Sequence, residues 1–96
     1  MSTLPTNTLK LNYFTDPGHG WVSVKRDTLA ALGIAGQVST YSYMRGASAY
    51  LEEDCDLSLL YNACDAKGIK IELTTKHTNN RSPIRSYAVY RDGGAA

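Results

Sequence analysis

Four acidic residues lie almost side by side near the middle of the chain, at Glu52, Glu53, Asp54 and Asp56. Carboxylate oxygens can hold Mg²⁺ or Ca²⁺, and a pair of carboxyl groups can act as general acid and base. No calcium-loop spacing and no H-E-x-x-H motif accompanies them, and acids are common where a helix begins. We therefore expect no metal and no cofactor here, and two roles stay open: helix capping, or a surface that binds a basic partner.

The two histidines, His19 and His77, stand apart from any nucleophile motif. Cys55 lies among the carboxylates, which raise the pKa of a thiol and so disfavour a nucleophilic thiolate. His19 could still act as an acid or a metal ligand if the fold brings it near the acids. An enzyme that depends on His19 or on a metal is therefore the third of three functional hypotheses, and we expect that the chain is not an enzyme.

Tyrosine and arginine form a second set of candidate residues, since the chain has 7 Tyr but only 1 Phe and 1 Trp. Strand alternation would place Arg85 and Tyr87 on one sheet face, together with Tyr43 and Arg45. Rigid rings beside guanidinium groups are typical of protein interfaces. They also suit the stacking of single-stranded nucleic acid, with Arg81 as a further contact. The ordinary β-propensity of tyrosine explains the same residues without any function.

The elements that must position these residues begin with two strands around the turn at residues 16–20. Pro17 and Gly18 predict a type II turn with a positive φ at the glycine. Trp21 is expected to pack in the core, while His19 is expected to stay partly exposed at the tip. A short helix capped by Asp27 and a strand pair at residues 38–45 and 48–53 follow.

The clearest helix is predicted for residues 53–68, where an apolar stripe recurs at helical spacing: Leu57, Leu60, Tyr61 and Cys64. A last hairpin is expected from residues 69–77 and 83–91. The order ββ-α-ββ-α-ββ predicts an α+β single domain, with an antiparallel sheet and two helices on one face. Cys55 and Cys64 would lie about 13 Å apart along the helix, too far for a disulfide.

Length and charge limit the class of protein. We expect one domain at residues 9–91, with disordered ends at 1–8 and 92–96, because 96 residues cannot bury two cores. The balance of 10 Lys+Arg against 9 Asp+Glu argues against a general duplex-binding protein. No long apolar run and no signal peptide is visible, and the thiols fit a reducing compartment, so we expect a cytoplasmic protein with no membrane contact. Open sheet edges favour a homodimer.

Three segments, "YFTDPGHGWVSV", "LGIAGQVSTYSYMRG" and "YLEEDCDLSLL", are similar to small accessory proteins encoded by bacteriophages and prophages. The resemblance carries over no catalytic residues. It implies a gene class that includes anti-CRISPR and anti-restriction proteins, many of which bind and block host machinery.

The leading hypothesis is therefore a non-enzymatic, phage-type binding protein that inhibits or modulates a host protein or defence complex. Its expected partner-binding residues are the four acids, the Tyr/Arg set and His19. The acids would imitate the phosphates of a nucleic acid in a basic channel. A single-stranded nucleic-acid-binding accessory protein is the alternative.

Overall fold

A computed structural model of the chain describes residues 8–92. It contains six strands, two α-helices and two single-turn 3₁₀ segments. The strands are β1 (Thr8–Thr15), β2 (Gly20–Lys25), β3 (Tyr43–Arg45), β4 (Ser48–Glu52), β5 (Lys70–His77) and β6 (Ala88–Val89). The helices are α1 (Arg26–Ala31) and α2 (Leu57–Ala66), and the 3₁₀ segments are Ala35–Gln37 and Pro83–Ser86. Of the ends predicted to be disordered, residues 1–7 and 93–96 lie outside the described residues, whereas Thr8 already belongs to β1.

The strands form one mixed sheet in the order β5-β1-β2-β4-β3-β6. The predicted α+β single domain is confirmed, but the wholly antiparallel sheet is wrong, because β5 pairs with β1 in parallel along its full length. The predicted last hairpin is also wrong, since β5 and β6 lie at opposite edges. Within residues 8–92, β5 and β6 each pair with a strand on one side only, and self-association through an edge stays a prediction.

Both helices cover the same face of the sheet. Val22 and Val24 of β2 pack with Leu51 of β4 against Leu29 of α1 and Leu60 of α2. The parallel pairing of β1 with β5 extends this core, because it brings partly buried leucines and an isoleucine of the two strands under α2. Side chains alternate along a strand, so the neighbours of the core residues point to the opposite face.

The segment before β3 is a loop where a strand was expected over residues 38–45. Asp56 explains the difference, because its buried carboxylate accepts hydrogen bonds from the Ser39 backbone N–H at 3.1 Å and the Ser39 hydroxyl at 2.7 Å. The Ser42 hydroxyl donates to the same carboxylate. These bonds fold the loop onto the start of α2, so only Tyr43–Arg45 remain in the sheet.

The C-terminal ends of the helices agree with the prediction better than their N-terminal ends. Gly33 and Gly68 have φ values of 77° and 70° and end α1 and α2 in the left-handed conformation expected of them. Asp27 lies inside the first turn of α1 and does not cap it. The α2 helix begins at Leu57, after all four acids, and no side chain caps it. The capping role considered for the acids is therefore wrong.

The two cysteines do not share a helix. Cys55 precedes α2 and is exposed, whereas Cys64 lies in α2 and is buried, and both are free thiols. Tyr61 is another departure, because 41% of its surface is exposed although it was placed on the apolar stripe of α2. Within residues 8–92, no helix combines the length and the apolar composition that crossing a membrane requires.

Candidate functional site

A pocket of about 300 Å³ opens on the sheet face that the helices leave uncovered. It lies between the β1–β2 turn, the start of β3, the segment after β4 and the Pro83–Ser86 turn. We call it the Trp21 pocket, and its lining residues are His19, Trp21, Tyr41, Tyr43, Glu52, Asp54, Cys55 and Arg85. Five residues of the predicted binding set, His19, Tyr43, Glu52, Asp54 and Arg85, thus meet in one place.

Trp21 forms the floor of this pocket and is only 2% exposed. Its predicted burial is confirmed, but the ring lies opposite the helix-covered core. The Arg85 guanidinium sits 5.4 Å from the centre of the indole, and the Tyr43 ring meets its edge at 6.3 Å. The indole Nε1 is buried and has no hydrogen-bond acceptor among the described residues. A buried donor without an acceptor costs free energy.

Asp16 holds Arg85 in place over the indole. Its carboxylate accepts from Arg85 Nε at 2.7 Å and from Arg85 Nη2 at 2.9 Å. It also accepts from the backbone N–H groups of Gly18, His19 and Ser82 at 2.9–3.0 Å. The Arg85 side chain, followed by the backbone donors, holds the pKa of Asp16 far below its usual range. Both the turn and the Pro83–Ser86 segment are therefore tied to one carboxylate.

The turn at residues 16–20 differs from the predicted type II turn. Gly18 does not have a positive φ; among residues 8–92 the glycines with a positive φ are Gly33, Gly46 and Gly68. A side chain at Gly18 would meet Arg85, since a Cβ there would lie 2.7 Å from Arg85 Nη2. Any side chain at this position would therefore shift the end of Arg85 from its place beside Asp16.

His19 and Glu52 form the polar wall of the pocket. Nδ1 of His19 lies 3.0 Å from Glu52 Oε2, and 48% of the histidine side chain is exposed, as predicted for the tip of the turn. The other Glu52 oxygen accepts from the backbone N–H groups of Asp54 at 2.6 Å and Cys55 at 3.1 Å. The turn that follows β4 therefore fixes the orientation of the Glu52 carboxylate.

The four acids do not form one charged surface. Asp54 is exposed at the pocket, and Glu52 is largely buried beside His19. Glu53 accepts a short hydrogen bond from the Tyr13 hydroxyl, which raises the pKa of Tyr13 to about 12. Asp56 is buried beneath the β3 loop and is not available to a partner. The fold therefore does not place the four acids in one exposed row that could imitate the phosphates of a nucleic acid.

The remaining predicted residues lie outside the pocket. Arg45 sits 5.1 Å from the centre of the Tyr87 ring, and Tyr87 packs on Tyr50 at 5.1 Å, so these three form a separate aromatic group. Arg81 lies beside the β1–β2 turn, in a shallow depression that Pro17 also lines. The Tyr/Arg set is thus divided among the Trp21 pocket, this aromatic group and the depression at Arg81.

Sequence reasoning missed three residues at or near these surfaces. Tyr41, expected in a strand, stands at the pocket rim with 70% of its surface exposed. Cys55 reaches the same pocket only because α2 begins after it. His77 of β5 contacts Thr15 of β1 at 2.7 Å, next to a groove on the far side of Tyr50. The positions of Tyr41 and Cys55 depend on the residues at which β3 and α2 begin. The position of His77 depends on the parallel pairing of β1 with β5, which local sequence patterns do not encode.

The lining of the Trp21 pocket combines aromatic, charged and thiol side chains. Partial desolvation by its neighbours, followed by the charge of Glu52, raises the pKa of the exposed Cys55 thiol, so it is a weak nucleophile. Arg85 is already paired with Asp16. His19, Glu52 and Asp54 add an imidazole and two carboxylates to the lining. Comparisons with protein-family models, with curated proteins and with solved structures find no match for this chain.

Proposed function

We propose that this chain is a non-enzymatic binding protein of the phage accessory type, and that it inhibits or modulates a host protein complex in the bacterial cytoplasm. The observation that carries the proposal is the Trp21 pocket with the exposed ring of Tyr41 at its rim. A host defence complex is the partner class that the sequence resemblance implies.

The composition of the pocket supports a protein partner. Trp, Tyr and Arg are the residue types most enriched at interface hot spots, and Trp21, Tyr43 and Arg85 are held in contact here before any partner binds. Side chains that are already ordered lose little conformational entropy on association. Tyr41 adds an exposed ring beside them, so a side chain projecting from the partner would find both a pocket and an aromatic rim.

The raised pKa of Cys55 supports binding over catalysis. A thiol acts as a nucleophile through its thiolate, and partial desolvation together with the nearby carboxylates raises the pKa of Cys55, which disfavours the thiolate. A pocket that only binds needs its shape and its hydrogen-bond donors and acceptors, and these come from residues fixed by Asp16 and by the turn after β4.

Capture of partners from a bacterial host lysate tests the proposal with a matched pair of tyrosine variants. Tyr41→Ala removes the pocket rim, whereas Tyr61→Ala removes an exposed ring from α2, away from the pocket. We expect Tyr41→Ala to weaken capture of the wild-type partner about 30-fold, as the loss of a hot-spot side chain does, and Tyr61→Ala to leave it unchanged. Quantitative mass spectrometry of the captured proteins measures both.

Two results would count against the pocket as the binding surface. One is a partner whose recovery falls equally with both variants. The other is that wild-type protein recovers nothing in stoichiometric amount from lysates of several hosts.

The aromatic group of Arg45, Tyr50 and Tyr87 favours a second candidate function, the binding of single-stranded nucleic acid. The Arg45 guanidinium lies over the half-buried ring of Tyr87, and Tyr50 packs beside that ring. Such a group can stack a nucleic-acid base with few further positive charges. Fluorescence anisotropy with a labelled single-stranded oligonucleotide at low salt measures this directly. We expect Tyr87→Ala to weaken such binding about 10-fold, as the loss of one stacking ring would, with Tyr61→Ala as the control. No binding at about 50 µM protein would remove this candidate.

A further inference from the structure

We propose that the Trp21 pocket binds a divalent transition-metal ion of the Zn²⁺ type through His19, Glu52 and Asp54. One ligand atom from each of these residues lies within 4.8 Å of the other two. The residues are brought together by the pairing of β2 with β4, which places the turn before β2 beside the segment after β4. The inference goes beyond the proposed function, because it needs no partner.

The His19–Glu52 distance is close to that of two ligands on one ion. Zn²⁺ binds imidazole nitrogen and carboxylate oxygen at about 2.0–2.2 Å, so two ligand atoms at the tetrahedral angle on one ion lie about 3.3–3.6 Å apart. The Nδ1 to Oε2 distance is 3.0 Å, that of a hydrogen bond, so the two side chains would move apart slightly to hold an ion. Asp54 is exposed, and its carboxylate makes no hydrogen bond among the described residues, so a rotation of its side chain can bring it to the same ion.

The surroundings of the ligands resemble those of a built metal site. The Glu52 oxygen that does not face His19 accepts the N–H groups of Asp54 and Cys55, which leaves Oε2 directed at the histidine. The backbone N–H of His19 is bound to Asp16 at 3.0 Å. Such outer hydrogen bonds hold ligands in position in known metal sites.

Charge and hydrogen bonding also favour a cation in this pocket. Two carboxylates and a neutral imidazole balance the charge of a divalent ion, and nitrogen with oxygen ligands suits Zn²⁺ and its neighbours in the first transition row. The positive charge of Arg85 is compensated by its ion pair with Asp16.

The indole of Trp21 lines the same pocket, and its buried Nε1 has no acceptor among the described residues. A three-ligand ion keeps open positions for water or an anion. The open positions would also accept an oxygen or nitrogen atom from a partner protein.

Isothermal titration of the untagged, metal-free protein with ZnCl₂ tests the site. We expect one ion per chain with micromolar affinity. Asp54→Asn should weaken binding about 10-fold or more, and because this side chain is exposed the fold should be unaffected. His19→Ala should weaken it at least as much, whereas His77→Ala, which removes the other histidine, should leave it unchanged. Circular dichroism verifies that each variant is folded.

Three outcomes would overturn the site. The first is no heat of binding from wild-type protein at millimolar ZnCl₂. The second is binding that His77→Ala abolishes and His19→Ala does not. The third is binding that is equally strong in wild-type protein and in the Asp54→Asn variant. Each of these can occur whether or not a host partner is found, so failure of the metal site and failure of the proposed function are distinguishable.

Discussion

Trp21→Ala should lower the free energy of unfolding by about 3–5 kcal/mol, as truncation of a large buried aromatic side chain does. The indole is 2% exposed and is the surface on which Arg85 and Tyr43 pack. Domains of this size are commonly stable by about 5–15 kcal/mol, so the variant would lose a large part of its stability. Urea unfolding followed by circular dichroism measures the change, since the variant has no tryptophan fluorescence.

The control for this experiment is Tyr41→Ala, which removes an exposed ring from the rim of the same pocket. It should change the free energy of unfolding by less than about 0.5 kcal/mol. If Trp21→Ala were as mild as Tyr41→Ala, the indole would not organise this face of the sheet, and the pocket would lack the rigid floor that the binding proposal requires.

Asp16→Asn should have the second-largest effect, lowering the melting temperature by about 10 °C at neutral pH, because it weakens a network of five hydrogen bonds to one carboxylate. The pKa of Asp16 is lowered in the folded protein, chiefly by Arg85. A lowered pKa contributes stability that is fully present above the unfolded value of about 3.9 and is lost as the pH falls below it. Wild-type protein should therefore lose stability steadily below about pH 4.

Thermal unfolding between pH 7 and pH 2 separates these two effects. The Asp16→Asn variant should be less stable than wild type at pH 7, and the difference should shrink as the pH falls below about 4. Asp27→Asn, at an exposed acid in α1, serves as the matched control and should follow the wild-type curve. A constant difference between wild type and Asp16→Asn at every pH would contradict the role given to the Asp16 carboxylate.

Local patterns in the sequence predicted the helices, most strands and the burial of Trp21, because each depends on residues close together in the chain. The left-handed ends at Gly33 and Gly68 are of this kind. The same patterns could not predict strand pairing. The apolar residues of β1 and β5 are typical of any strand. Nothing in them indicates that β5 pairs in parallel with β1 and not with the segment that follows it, as the predicted hairpin required.

Two buried carboxylates account for most of the differences between the predicted and the observed local structure. Asp56 reaches back to Ser39 and Ser42 and replaces a predicted strand with a loop. Asp16 reaches forward 69 positions to Arg85, which shapes both the turn and the Pro83–Ser86 segment. Long-range hydrogen bonds of this kind leave no periodic signal in a single sequence.

The candidate site was predicted only in part, because it too depends on contacts between distant parts of the chain. His19, Tyr43, Glu52, Asp54 and Arg85 were chosen by residue type, which is visible in the sequence. Their meeting in one pocket depends on the pairing of β2 with β4 and on the Asp16–Arg85 ion pair. Tyr41 and Cys55 were missed because an expected strand and an expected helix both turned out shorter.

The central claim is that a partner protein contacts the face of the sheet around the Trp21 pocket. Photo-crosslinking in a bacterial host measures this contact most directly, with a benzophenone amino acid replacing Tyr41 in one version of the chain and Tyr61 in another. Both positions are exposed tyrosines, so the probe disturbs the fold equally little. We predict a discrete crosslinked host protein from position 41 and none from position 61. Crosslinks from position 61 alone, or identical products from both positions, would contradict the claim.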